Sequence, residues 1–451
     1  MLAILFLLIP TLVEMLSDNL NATILELTYL NGLYYLNGTI KGYGTSYLLL
    51  DTNTPALLAK SQSSIVNPSE INVDDDRLWN VHSDLGIQEL ILGESWKKNA
   101  VINNPKSDIS CDLGLVDVTP YVLKSSVNDI VTPHFAGWYD NANGIFGLGL
   151  PGNRIGSVSL SESLHLSSFG LFFSEPDPRI DFNYFDETMS GQIIWGEKMS
   201  GSYTTWFHYY FSLYSFSICD TSLFGPFTIA YPATISTTSR CLTVPMQIFN
   251  NLIGWLPIEC PIGEGSGHSQ LCWLNGSWDQ SEGYPTFEFH LSTITDTLFI
   301  SLGDLIITDK DRQYLCIMNG TDVNHRITHP LKTQGFVFGT MALKAFYVAV
   351  NVTAGRVGLV QVNETSKQRG NCKLNQRCMK GQTFNRASNE CMEPNCDAYY
   401  FMTLNEEKHE CRTHPIAIIL FWSIVIYYMC CEFNQFWQTS RYRNQLLHNV
   451  T

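Results

Sequence analysis

The chain has 451 residues, 45% of them hydrophobic and 12% aromatic, and a formal net charge of −15. That apolar content excludes a mainly disordered chain, and the length allows two or three domains. The acidic balance argues against nucleic acid or an anionic membrane surface as the main partner, since both demand clustered Lys and Arg.

Leu2–Val13 is an apolar run of signal-peptide length, too short to span a bilayer, so residues 1–18 are expected to be a cleaved leader cut between Leu16 and Leu20. From Asn31 to Val362 the texture is all-β: short β-branched or aromatic runs such as Ser46–Leu50, Gln192–Trp195, Phe336–Phe338 and Ala345–Val350, bounded by Gly, Pro, Asn and Ser. Ile155–Leu164 and Val244–Ile253 are expected to be short helices. Asp74-Asp75-Asp76 reads as a solvated loop tip, because no calcium-ligand spacing follows it. Residues 371–412 then hold Cys372, Cys378, Cys391, Cys396 and Cys411 among few aliphatics, a module that needs disulfides because it cannot bury enough apolar surface. Zinc is disfavoured there by the lack of paired Cys-x-x-Cys spacing.

Residues 415–431 form an uncharged apolar run at the lower length limit for a transmembrane helix, with Trp422, Tyr427, Tyr428 and Trp437 suited to membrane interfaces. Arg441 and Arg443 place the tail, 432–451, on the cytoplasmic side, and its charge argues against a glycolipid anchor. Cys430 and Cys431 could be palmitoylated or be plain membrane-end residues. Before this helix stand eleven of the 13 cysteines, all but Cys430 and Cys431, and six Asn-x-Ser/Thr sites: Asn21, Asn37, Asn275, Asn319, Asn351 and Asn363. Together these favour a secretory, disulfide-forming compartment and glycosylation. Eleven is odd, so at least one thiol on that side stays free or pairs between chains.

One pattern occurs twice. Tyr47-Leu48-Leu49-Leu50-Asp51-Thr52-Asn53-Thr54 is followed later by Ile145-Phe146-Gly147, and Ala233-Thr234-Ile235-Ser236-Thr237-Thr238-Ser239 by Val337-Phe338-Gly339. This resembles the two lobes of the pepsin-like aspartic proteases, each with a hydrophobic-hydrophobic-Asp-Thr-Gly-Ser/Thr segment and a later hydrophobic-hydrophobic-Gly. Tyr34–Gly42, Ser190–Gly196, Tyr284–Phe289 and Ala345–Leu359 are similar, in order, to further strands of that family. The resemblance implies a bilobal double barrel with pseudo-two-fold lobes over 31–200 and 201–362. It also implies a Cys272–Cys316 disulfide in the second lobe, one further bond from Cys219, Cys241 and Cys260, and Cys111 as the odd thiol.

The departures from the family decide the functional expectation. A catalytic pair of carboxylates shares one proton, one acting as base toward water and the other as acid toward the carbonyl; pepsin is the standard case. Asp51 survives, but its counterpart is Ser236, which cannot take up a proton in this pH range, and general acid–base assistance is worth ~10²–10⁴-fold per group. Asn53 and Thr238 replace the motif glycines, where side chains crowd the water site. No tyrosine lies between Tyr47 and Tyr121 to serve as the family's flap residue, and Trp79 is the flap candidate. Almost no room remains before Tyr34 for the inhibitory prosegment of active members. The eleven histidines are scattered without a metal-ligand cluster, and no nucleophile-elbow motif supports Ser236 as a nucleophile.

The expectation is therefore a non-enzymatic pepsin-like ectodomain on a type I membrane anchor, without cofactor or metal. Its partner would be a peptide or protein held in the cleft between lobes. The competing expectations are a membrane-anchored aspartic endopeptidase with an atypical site and an adhesive or structural surface glycoprotein.

Overall fold

The computed structural model describes residues 23–30, 32–40, 44–60, 78–83, 86–116, 121–122, 144–150, 159–186, 192–197, 209–224, 228–260, 271–274, 283–292, 297–309, 312–319, 335–362, 378, 381–385, 390–398 and 401–448. It divides into two units, 1–375 and 376–451.

Unit one is built of β-strands. The first half contains β1 (Thr23–Leu30), β2 (Leu33–Ile40), β3 (Gly44–Asp51), β4 (Leu57–Lys60), β5 (Leu78–Ser83), β6 (Gly86–Asn103), β7 (Asp108–Val116), β8 (Tyr121–Val122) and β9 (Gly144–Gly147). A short helix, Leu160–Ser163, leads into β10 (Ser168–Phe172) and β11 (Arg179–Phe182). The second half begins with β12 (Ile194–Trp195), β13 (Tyr210–Leu213), β14 (Ser215–Ile218), β15 (Thr221–Ser222), β16 (Tyr231–Ile235) and β17 (Leu242–Val244). After the helix Met246–Trp255 come β18 (Ile258–Glu259), β19 (Cys272–Leu274), β20 (Thr286–His290), β21 (Leu298–Ser301), β22 (Ile306–Asp309), β23 (Arg312–Leu315), β24 (Ile317–Asn319) and β25 (Phe336–Phe338). A second short helix, Thr340–Leu343, precedes β26 (Phe346–Asn351) and β27 (Arg356–Gln361).

Strand order shows that the halves are wired alike. The first half runs β2-β3-β9-β4-β7 and the second β13-β16-β25-β17-β24. In both, the successive pairings are antiparallel, parallel, antiparallel and parallel. A sheet ordered β12-β27-β26-β10-β11-β1 joins the halves, and its middle pair is one strand from each, β10 against β26. The hairpins β10–β11 and β26–β27 flank that pair on either side, each preceded by its short helix.

Burial explains why the central strands are continuously apolar. Leu48, Leu49 and Leu50 are all fully buried, so β3 is covered on both faces and needs no alternation. In the second half the core is aromatic: Phe216 stacks on Phe287 with ring centroids 5.0 Å apart, and Phe289 meets Phe346 edge-on. Gly147 and Gly339 occupy equivalent positions, the first ending β9 and the second following β25. A Cβ on Gly147 would lie 2.3 Å from the Thr54 carbonyl oxygen, and one on Gly339 would lie 2.4 Å from that of Cys241. Both are glycine because backbone passes directly behind them.

The cysteine pairing differs from expectation. Cys316 bonds to Cys241 and Cys272 to Cys260, so Cys272–Cys316 is not formed. Strand register is the reason. Leu242 on β17 pairs with Ile317 on β24, which sets Cys241 beside Cys316 with Cα atoms 4.6 Å apart. Cys272 lies opposite Leu315, and alternation turns the next residue, Cys316, to the other face. Cys219 is disulfide-bonded as well, and Cys111 is a buried thiol.

Unit two contains two hairpins, β28 (Thr383–Asn385) with β29 (Glu390–Met392) and β30 (Met402–Asn405) with β31 (Glu410–Thr413), followed by the helix Pro415–His448. Disulfides Cys378–Cys391 and Cys396–Cys411 staple them. The helix does not stop at Cys431 as expected, because no Gly or Pro interrupts it before His448. Its stretch apolar enough to cross a membrane is Pro415–Thr439, 25 residues.

Replacing Gly147 or Gly339 by Ala should cost about 3 kcal/mol of unfolding free energy, as overpacking against backbone does. Denaturant titration checks this; a loss below about 0.5 kcal/mol would show that the close approach relaxes freely.

Candidate functional site

Asp51 ends β3 and Ser236 follows β16, so the like-wired halves bring the two repeated segments face to face. The contact between them is reciprocal. The Thr52 amide donates to Thr237 Oγ1 (3.0 Å) and the Thr237 amide to Thr52 Oγ1 (3.3 Å). Each hydroxyl then donates across to the opposite backbone: Thr237 Oγ1 to the Leu50 carbonyl at 2.7 Å and Thr52 Oγ1 to that of Ile235 at 3.4 Å. Both threonines are fully buried. The amide and the hydroxyl of each threonine therefore find their partners in the other half.

Around the joint, each segment also closes on itself. Asp51 Oδ1 accepts from the Asn53 amide (2.8 Å) and Oδ2 from Thr54 Oγ1 (2.5 Å). In the other half Ser236 Oγ donates to Ser239 Oγ (3.2 Å) and lies 3.1 Å from Thr238 Oγ1. Ser236 thus takes up the same local turn contacts as Asp51, with a hydroxyl in place of the carboxylate. Asn53, standing where a glycine was expected, does more than crowd the site. Its backbone binds Asp51 and its side-chain Nδ2 donates to Ser236 Oγ at 3.2 Å, so one residue ties the two positions together.

The result is a closed floor. Asp51 is 0% exposed, Thr238 0%, Ser236 3% and Asn53 8%. Burial drives the Asp51 pKa up to about 6, while the Thr54 hydroxyl and the Asn53 and Thr54 amides pull it back down. A carboxyl this buried, with two donors from its own turn, can hold a proton and is fixed in place by its neighbours.

The other expected site residues are placed as follows. Trp79 lies on β5 opposite Leu90 of β6, in a hairpin; its side chain is outside the described residues. Asn37 and Asn351 are half-buried on β2 and β26, and Asn21, Asn275 and Asn363 lie outside the described residues. Asn319 is only 6% exposed, and its Nδ2 donates to Met246 Sδ at 2.9 Å. No group of three or more His, Cys, Asp or Glu that could hold a metal occurs among the described residues.

Sequence reasoning missed a second buried acid. Asp181, 0% exposed on β11, accepts from Arg179 Nε (3.1 Å) and Tyr184 Oη (3.2 Å) through Oδ1 and from Tyr347 Oη (3.0 Å) through Oδ2. Arg179 also pairs with Asp177 and Asp186, while Tyr347 crosses from β26 directly over Gly170. These contacts are satisfied within the sheet that joins the halves, which marks the cluster as a clamp between them. The alternation Arg179-x-Asp181 on one strand face was its only sequence signal.

No protein-family profile matches the chain, and no curated protein matches it.

The raised pKa of Asp51 fixes a sign. The folded state holds this proton more tightly than the unfolded chain, so the contribution is favourable in acid and is lost as pH rises from about 4 through about 6. The loss should be on the order of 3 kcal/mol. Asp51→Asn should flatten that part of the stability–pH curve in chemical denaturation between about pH 4 and 7; an unchanged slope would show that Asp51 titrates normally.

Proposed function

We propose that the chain is a non-hydrolytic, pepsin-like binding protein of the secretory pathway, anchored as a type I membrane protein. The observation that carries the reading is the closed floor: one carboxyl, fully buried, facing a serine that is already hydrogen-bonded to Asn53 and Ser239. The repeated strand order and the reciprocal threonine pair support the family resemblance of the two segments. Hydrolysis of a peptide bond needs a base for water and an acid for the carbonyl, and this floor presents neither to solvent.

A groove between two such halves suits an extended peptide or protein segment, bound through backbone hydrogen bonds and side-chain pockets without being cut. The hairpin β5–β6, with Trp79, is placed by the resemblance to cover that ligand. The apolar leader, the Asn-x-Ser/Thr sites and the disulfides support an oxidising, lumenal setting. The helix Pro415–Thr439 supports the anchor.

The test is proteolysis of an acid-denatured globular substrate between about pH 3 and 7, using the full chain in detergent. No cleavage is expected from the native protein. Ser236→Asp alone should also be inactive, because Asn53 still covers the position, and only Asn53→Gly combined with Ser236→Asp should open a route to turnover. Cleavage by the native chain that disappears in Asp51→Ala would establish the endopeptidase instead.

A further inference from the structure

The helix Pro415–His448 does not hang from a loose tether. Strand β31 ends at Thr413, and one residue later the helix begins, so the last hairpin is built onto the helix start. The register gives that hairpin two distinct ends. Met402 pairs with Thr413 and Thr403 with Arg412 beside the helix, whereas Asn405 pairs with Glu410 at the far turn. Beyond the near end, the His414 amide donates to the Phe401 carbonyl at 2.6 Å, which holds Phe401 one residue from the start of the apolar stretch.

Phe401 is an unusual residue for that place. Its ring is 63% exposed and its φ is +64°, a left-handed conformation that a bulky side chain adopts only at a cost of about 1–2 kcal/mol. Neither feature serves packing within the hairpin. Charge is also divided between the two ends. Glu406, Glu407 and Glu410 lie at or beside the far turn with Lys408 between them, and among the paired strand residues nearest the helix the charged one is Arg412, exposed. An exposed aromatic with a nearby Arg, level with the first residue of an apolar span, has the composition of a membrane interface, where rings sit among headgroups and cations meet phosphates.

We propose that Phe401 and Arg412 form a foot that seats this hairpin in the headgroup layer of the bilayer its own helix crosses. The partner is a lipid surface, recognised by an aromatic ring and a guanidinium. This rests on the helix being a membrane span, as in the proposed function. The foot holds the cysteine-rich module upright on the membrane and turns its acidic end away from the lipid phosphates.

Site-specific photocrosslinking in phosphatidylcholine nanodiscs tests this with the full chain. A benzophenone amino acid is placed singly at Phe401, at Glu407 on the far turn, or at Ile424 within the span, and lipid adducts are read by mass spectrometry. Adducts at 401 and 424 but not at 407 are expected. An adduct at 424 without one at 401 overturns the foot while leaving the span intact. Equal adducts at 401 and 407 also overturn it, because the hairpin would then lie flat. No adduct at 424 removes the span and the foot together. A parallel Phe401→Ser variant should raise amide exchange in residues 402–413 in nanodiscs but not in detergent; the same rise in both would assign Phe401 a folding role instead.

Discussion

The structure depends on the four hydrogen bonds that Thr52 and Thr237 exchange across the boundary between the two halves. They are buried, mutual and complete, and each unpaired group would cost about 1–3 kcal/mol if its partner were removed. By fixing the two segments against each other, they set Asp51 and Ser236 where Asn53 can bind both. The joint sheet, with Tyr347 reaching from one half to Asp181 in the other, clamps the same boundary at a second place.

This joint separates scaffold from chemistry. The threonines and the glycines behind them, Gly147 and Gly339, are needed to assemble the halves whatever happens at the adjacent position. The Ser236 hydroxyl, bonded to Asn53 and Ser239, takes no part in the cross-half bonds of the threonines. The cluster is satisfied as it stands, so the fold can keep its architecture while the floor stays shut. Asp51 is a buried acid whose proton is held by burial, a stabilising feature in acidic surroundings.

The duplicated segments were legible in the sequence because their apolar runs are short, contiguous and followed by turn residues; β3 and β25 fall where the runs at Ser46–Leu50 and Phe336–Phe338 indicated. What escaped was set by register and burial. Cys272 and Cys316 are separated by one step of strand alternation, which spacing along the chain does not encode. Asn319 matches the glycosylation pattern, yet packing against Met246 removes it from the surface. Asn53 was expected to crowd the site and in addition bonds Ser236, a contact that depends on the distance between halves. The Asp181 clamp joins residues far apart in sequence through ordinary-looking strands. The helix ran past its expected end because polar residues alone do not stop a helix that lacks Gly and Pro.

The most direct measurement is a double-mutant cycle on the joint, using Thr52→Val, Thr237→Val and the pair together in denaturant unfolding. Each single change removes two of the four bonds, and because either pair holds the segments in register for the other, the account predicts that the double variant loses less than the sum of the singles, with an interaction energy of about 0.5–3 kcal/mol. Additive losses would contradict it, because they would mean that the two threonines act independently and that the halves are held together elsewhere.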